Sequence, residues 1–413
     1  MIRVVRVVLA LLLFTHPCFA ADAKFTREQF QEDFEFLCRE VANTYAYFEF
    51  KATRWNDVQS LYRGDLARVT SRTEFVTLLE RAVDELYDPH AQLNTNTPAS
   101  ARLVPSGTDL WAEWRDAAAV ITQVRPNSDA ARAGIVTGTR VASINDVTIA
   151  AAVDNRLGRS YPHATSAARD WALRSVLAGL HNTPRLLSLQ TGESKRQVTL
   201  PAPDQFRGQR AAIEHSEVRP GVGYIRFNDS LGDDSTIEAF DAALTNLRST
   251  RALIIDLRDT PSGGNSTVAR GILGRFVASE LPYQKHVLTM EERDTHVRRS
   301  WLELVTPRGE FRYTKPVVVL VSRWTGSMGE GLALGFDGTG AGSVVGTSMA
   351  QLVGATYTIT LPHTQIRVNV PAERLYHVNG TPRENFVPKA IDANSIGAPD
   401  PFVSSALKVL ERK

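Results

Sequence analysis

A serine held where a buried strand gives way to a helix can act as a nucleophile, because the helix start offers unpaired N–H groups beside it. Pro316-Val317-Val318-Val319-Leu320-Val321 reads as such a strand, and Ser322-Arg323-Trp324-Thr325-Gly326-Ser327-Met328-Gly329-Glu330-Gly331 follows it. An apolar helix is expected from about Met328 to Phe336. Ser327 then stands at the strand-to-helix turn, its hydroxyl at the carboxyl end of a sheet and the Met328 N–H next to it. Thr325 departs from the G-x-S-x-G string of a nucleophile elbow. Taken alone, the turn suits a serine that merely caps the helix. A second loop, Asp256-Leu257-Arg258-Asp259-Thr260-Pro261-Ser262-Gly263-Gly264-Asn265, leaves the buried strand Ala252–Leu257. Its glycines let backbone N–H groups come close to a reacting carbonyl, although an ordinary turn would use them as well.

Taken in order along the chain, these motifs resemble the tail-specific proteases, a family that includes the tricorn-core peptidases. The family pattern is a Gly-Tyr-Ile strand, then D-L-R-x-x-x-G-G, T-x-S-x-x-E and V-V-G. Here it is met by Gly223-Tyr224-Ile225, the Asp256 loop, Thr325-Gly326-Ser327-Met328-Gly329-Glu330 and Val344-Val345-Gly346. The resemblance covers nearly the whole chain after its first residues. It implies peptide-bond hydrolysis through an acyl-enzyme on Ser327. The oxyanion would be held by the N–H of Met328 and that of Gly263 or Gly264, Ser262 leaving open which glycine turns inward.

A serine hydroxyl needs a base. Tail-specific members use a lysine soon after V-V-G, yet no lysine or arginine occurs between Gly346 and Gln365, and Leu352 falls about where that lysine belongs. Tricorn-like members use a histidine ahead of a PDZ-like domain and a late glutamate. Leu86-Tyr87-Asp88-Pro89-His90 resembles the family's L-x-D-x-H, and Gly380-Thr381-Pro382-Arg383-Glu384-Asn385-Phe386-Val387-Pro388 its G-x-x-x-E-x-x-V-P. The resemblance therefore implies His90 as general base and Glu384 as its orienting carboxylate, with Glu373 as a rival. Asp88 is also suited to capping N–H groups beside His90. Outside the family, His90 would read as a helix-end residue and Glu384 as a solvated charge.

The elements that must position these residues are legible in outline. Apolar residues such as Phe30, Phe34, Leu37 and Val41 recur at helical steps, and Thr73–Leu79 opens a helix that Pro89 stops. A helical region over 21–111 follows from this. Ala117–Val124, Pro126–Ile135 closed by Gly134, Val141–Asn145, Leu186–Leu189 and Arg196–Leu200 follow the order of a PDZ-like domain, over about 112–204. Such a domain takes a peptide as an added strand. From 205 to 413 strands alternate with helices: Val222–Phe227, the amphipathic Thr236–Leu247, Ala252–Leu257 and Pro316–Val321. That alternation predicts an α/β core with a mainly parallel sheet. Gly338, Gly340 and Gly342 read as a turn, and Arg293, Arg298 and Arg299 as a solvated face, suited to a segment that covers the site.

Composition excludes several classes. The chain has 413 residues, 43% hydrophobic and 22% charged, as soluble globular proteins do. Arg3 and Arg6, the run Val7–Phe14 and Cys18-Phe19-Ala20 read as an export signal over 1–20, too short to span a bilayer and with a poor lipoprotein box. Without it 45 basic residues face 45 acidic ones, so neither a nucleic-acid partner nor a polybasic membrane surface is expected. Cys38 would remain as the sole cysteine, packed as a small apolar residue. No H-E-x-x-H occurs and cysteine is too scarce for a structural zinc, so no metal or other cofactor is expected. The expected partner is a peptide or protein substrate, met outside the cytoplasm. Two other functions stay open on this scaffold: ligand binding without catalysis, as in retinoid-binding relatives, and hydrolysis of small esters.

Overall fold

The computed structural model describes residues 25–160, 165–202, 210–392, 394 and 397–412. The expected export signal lies outside the described residues. Among them, no helix is long and apolar enough to cross a membrane.

Three helices open the described chain: Arg27–Thr44, Trp55–Leu66 and Arg72–Asp84. The first and third start where the sequence supplies a capping box, Thr26 with Gln29 and Ser71 with Glu74. Their apolar faces bury Phe34, Leu37, Phe75 and Leu79 against Val368 and Val370 from far along the chain. Cys38 packs inside this cluster, and burial, foremost, pushes its thiol up to about 12, so it behaves as an apolar filler.

The middle of the chain forms a six-stranded antiparallel sheet. Leu110–Arg115, Ala118–Val124, Arg140–Ile144, Arg185–Thr191 and Ser194–Leu200 lie in that order, with Val147–Thr148 beside the third. Helices Ile149–Arg156 and Ser166–Ala178 close its apolar face. The sequence reading did not foresee these two helices.

The remaining chain is the expected α/β core. Its sheet runs Lys389–Ala390, Ser343–Gly346, Val317–Val321, Ala252–Asp256, Val222–Phe227 and Ile213–Arg219. All neighbours are parallel except the last pair. Ala252–Asp256 and Val317–Val321 are buried throughout, as strands covered on both faces must be, so they read as unbroken apolar runs. Helices Ser235–Asn246, Ser266–Leu273 and Met328–Gly338 pack on one face, and Pro401–Glu411 on the other. Gly340 has φ +70°, in keeping with the expected turn.

A third sheet was not anticipated. It joins Gln92–Leu93, Arg367–Tyr376, Leu281–Leu288 and Arg299–Val305, with Ala355–Thr360 also on Arg367–Tyr376. Gln92 pairs with Asn369, which ties the residues just after His90 to the late part of the core. Arg293, Arg298 and Arg299 are exposed as expected; Arg293, on the short helix Thr289–Thr295, also donates to the Tyr45 carbonyl at 3.0 Å, just past the end of the first helix.

Candidate active site

The parallel strand Val317–Val321 ends in a tight loop before the helix Met328–Gly338. Ser327 sits between them at φ 50° and ψ −113°, where a side chain is held only against steric resistance. It is half-buried. The carboxylate half of a capping box is present, Ser327 N–H donating to Glu330 Oε2 at 2.9 Å. The N–H of Glu330 faces the Ser327 side chain without closing a cap hydrogen bond to it.

Across from it runs the glycine loop, linked to the serine loop by a bridge between Thr260 and Thr325. A Cβ on Gly263 would lie 2.5 Å from Ser327 Cβ, 3.0 Å from its Oγ and 3.3 Å from the Met328 nitrogen. A Cβ on Gly264 would instead meet the Leu231 backbone at 2.2 Å. Gly263, at φ +66°, is therefore the glycine that faces the serine, although its N–H also closes a turn onto Thr260 O at 3.3 Å.

Glu330 does more than hold the serine's backbone. It also accepts the N–H groups of Gln351 at 2.8 Å and Leu352 at 3.2 Å, so one buried carboxylate fastens the nucleophile loop to the segment after V-V-G. Burial outweighs the neighbouring Arg383 charge and the three N–H donors, and pushes its pKa up to about 7. Leu352 is buried, and its Cδ1 lies 3.3 Å from where a Gly326 side chain would begin. The place in the sequence where a lysine base was looked for is filled by an apolar side chain next to the elbow. Lys315 and Lys389 bond elsewhere, to Arg248 O at 3.4 Å and Ser343 Oγ at 3.3 Å.

His90 comes in from the helical region. Its N–H donates to Asp88 Oδ1 at 3.0 Å, the capping role foreseen for Asp88, and Tyr45 fixes the other Asp88 oxygen at 2.7 Å. The ring Nδ1 lies 2.7 Å from Val353 O. A carbonyl only accepts, so Nδ1 carries the proton and Nε2 is the basic nitrogen. Burial first, and then the charge of Arg383, push the His90 pKa down to about 4.

Glu384 lies in the same neighbourhood but is not joined to the ring: among the described residues no hydrogen bond links His90 to Glu384 or to Ser327. The Glu384 carbonyl accepts from Gln351 Nε2 at 3.1 Å, while its Oε2 is buried with no partner among the described residues. Burial raises its pKa. Glu373, the rival, is engaged by His286 Nδ1 at 2.7 Å. His286 also meets Glu303 at 2.9 Å and stacks on Trp301. Sequence reasoning missed the role of Glu330, whose signal was the last place of T-x-S-x-x-E, and Arg383. Among the described residues no group of His, Cys, Asp and Glu side chains could hold a metal ion.

Comparison with known proteins adds the following. Residues 221–389 match peptidase family S41, and residues 26–84 match the Tricorn protease C1 domain. No curated protein is similar enough to count as a relative. Among solved structures, mature CPAF aligns with a TM-score of 0.60 at 15% identity, over 93% of this chain and 96% of that one. The photosystem II D1 C-terminal processing protease aligns with 0.57 at 16% identity, over 93% and 97%. A peptidase structure from Parabacteroides merdae gives 0.56 at 16%, over 92% and 96%. These likenesses speak to the fold.

Proposed function

We propose that this chain is a serine-type peptidase with a core like that of peptidase family S41, working through Ser327 as nucleophile and His90 as base. The observation that carries the reading is the conformation of Ser327. A serine at φ 50°, pressed against a glycine whose Cβ would stand 2.5 Å from its own, occupies a strained turn that helix capping alone does not require.

In this scheme the Ser327 hydroxyl attacks the scissile carbonyl and gives its proton to His90 Nε2. The oxyanion is met by the N–H of Met328, with Gly263 as the facing glycine and Gly264 as the alternative donor. His90 returns the proton to the leaving amine, and water repeats the cycle on the acyl-enzyme. Val353 O keeps the ring in the required tautomer at rest. Glu384 supplies a nearby carboxylate whose unpaired oxygen is suited to the imidazolium as it forms. The substrate is a peptide or protein, and the expected setting is outside the cytoplasm.

A panel of peptides and small esters tests the reading. Peptides should be cleaved and Ser327→Ala should abolish turnover while the protein still folds. Ester cleavage alone, or peptide turnover surviving Ser327→Ala, would reject it.

A further inference from the structure

The segment that holds His90 is itself held by a single buried cation. Arg383 is 2% exposed, and its Nη2 donates to Leu352 O and to Gly354 O, each at 2.8 Å. The carbonyl between those two, Val353 O, is the one that takes the His90 Nδ1 proton. Leu352 N–H, on the same segment, goes to the Glu330 oxygen that also receives Ser327 N–H. Three consecutive residues therefore connect base and nucleophile, and Arg383 grips them on both sides of the carbonyl that matters.

We infer that Arg383 is a positioning residue for hydrolysis: by clamping the carbonyls of Leu352 and Gly354 it delivers Val353 O to His90 and so fixes which ring nitrogen is basic. The inference rests on the reading of Ser327 as nucleophile and His90 as base. The chemistry favours arginine. A guanidinium does not lose its proton, so its charge near the base is constant across the working pH range. That charge disfavours the imidazolium of His90, keeping the resting ring neutral, and favours the carboxylate of Glu330 that holds Ser327 N–H. Arg383 cannot itself serve as base, and it is too buried to touch substrate.

The test is a pair of variants, assayed for peptide cleavage against pH and normalised by active-site titration with a fluorophosphonate. Arg383→Met should lower kcat by about 100-fold, short of the roughly 10⁴-fold that a wrong histidine tautomer costs, because Arg383 acts through Val353 O rather than on the ring. KM should change little. The acid limb of kcat/KM should move up by roughly one pH unit, because a charge opposing protonation of His90 is gone. Arg383→Lys should keep the limb near its wild-type position while kcat falls about 10-fold, the charge being retained and the fork lost. A normalised kcat and an acid limb both unchanged in Arg383→Met would overturn the inference. If that variant does not fold, Arg383→Lys decides: full wild-type kcat would overturn it. Peptide cleavage that survives His90→Gln, or wild-type protein whose Ser327 does not label, would instead mark failure of the underlying reading.

Discussion

At the scale of single residues, the site is governed by burial more than by pairing. A solvated histidine titrates at about 6.5. The enclosure of His90, with Arg383 nearby, moves its pKa down to about 4. The base is then neutral over the whole physiological range, and the acid limb of kcat/KM should lie well below 6.5. A pH profile on the free enzyme checks this; a limb centred at 6.5 or higher would mean that the imidazole is solvated. The same shift bears on stability. The folded state resists protonating His90 while the unfolded state accepts a proton near 6.5, so this contribution to stability is lost as pH falls from 6.5 toward 4. Glu384→Gln should lower kcat with little effect on melting temperature, since the carboxyl oxygen it alters has no partner among the described residues. Ser327, His90 and Glu384 were singled out only because motifs along the chain resemble a family's in order. Arg383 was not, because its role depends on two carbonyls about thirty residues away that no local pattern marks.

At the scale of elements, the serine loop and the glycine loop must touch without side chains between them. Gly263→Ala would put a methyl group 2.5 Å from Ser327 Cβ on a backbone at φ +66°. It should cut kcat by at least about 100-fold, the scale of a damaged oxyanion site. Normal activity in that variant would remove Gly263 from the site. The strands of the parallel core were readable as apolar runs because they are covered on both faces. The third sheet was not, since Arg-Val-Asn-Val-Pro-Ala-Glu-Arg-Leu-Tyr breaks the apolar pattern and its partners are distant, Gln92 with Asn369 among them. A charged pin holds that sheet: His286 on one strand bonds Glu373 and Glu303 on its two neighbours. Burial works against the charge on His286, yet the hydrogen bonds to Glu303 and Glu373 hold its pKa above the ordinary value. Its contribution should be complete below about 6.5 and fade as pH rises through the raised value. Melting temperatures against pH for wild type and His286→Gln should converge at high pH. A gap that persists there would assign the effect to packing on Trp301.

At the scale of the whole molecule, the serine loop and the glycine loop are each tied to the middle sheet. Arg125, at the end of the strand Ala118–Val124, pairs with Asp259 of the glycine loop at 2.7 Å. Arg323, just before the nucleophile, pairs with Glu113 at 2.9 Å, and Trp324 donates to Thr108 O at 2.8 Å. The middle unit thus braces the site, which its sequence, read as a peptide-binding module, did not suggest. Glu113→Ala should lower kcat several-fold without loss of fold, because Arg323 keeps its bonds to Met349 O and Gln351. For export, the N-terminus of secreted protein is expected at Ala21 or within a residue or two; an intact leader on soluble cytoplasmic protein would contradict it. The central claim is that one strained serine, activated by one buried histidine, does the chemistry. Fluorophosphonate labelling followed by peptide mapping tests it most directly. The account predicts a single adduct on Ser327, formed slowly or not at all in His90→Ala; an adduct on another serine, or undiminished labelling without His90, would contradict it.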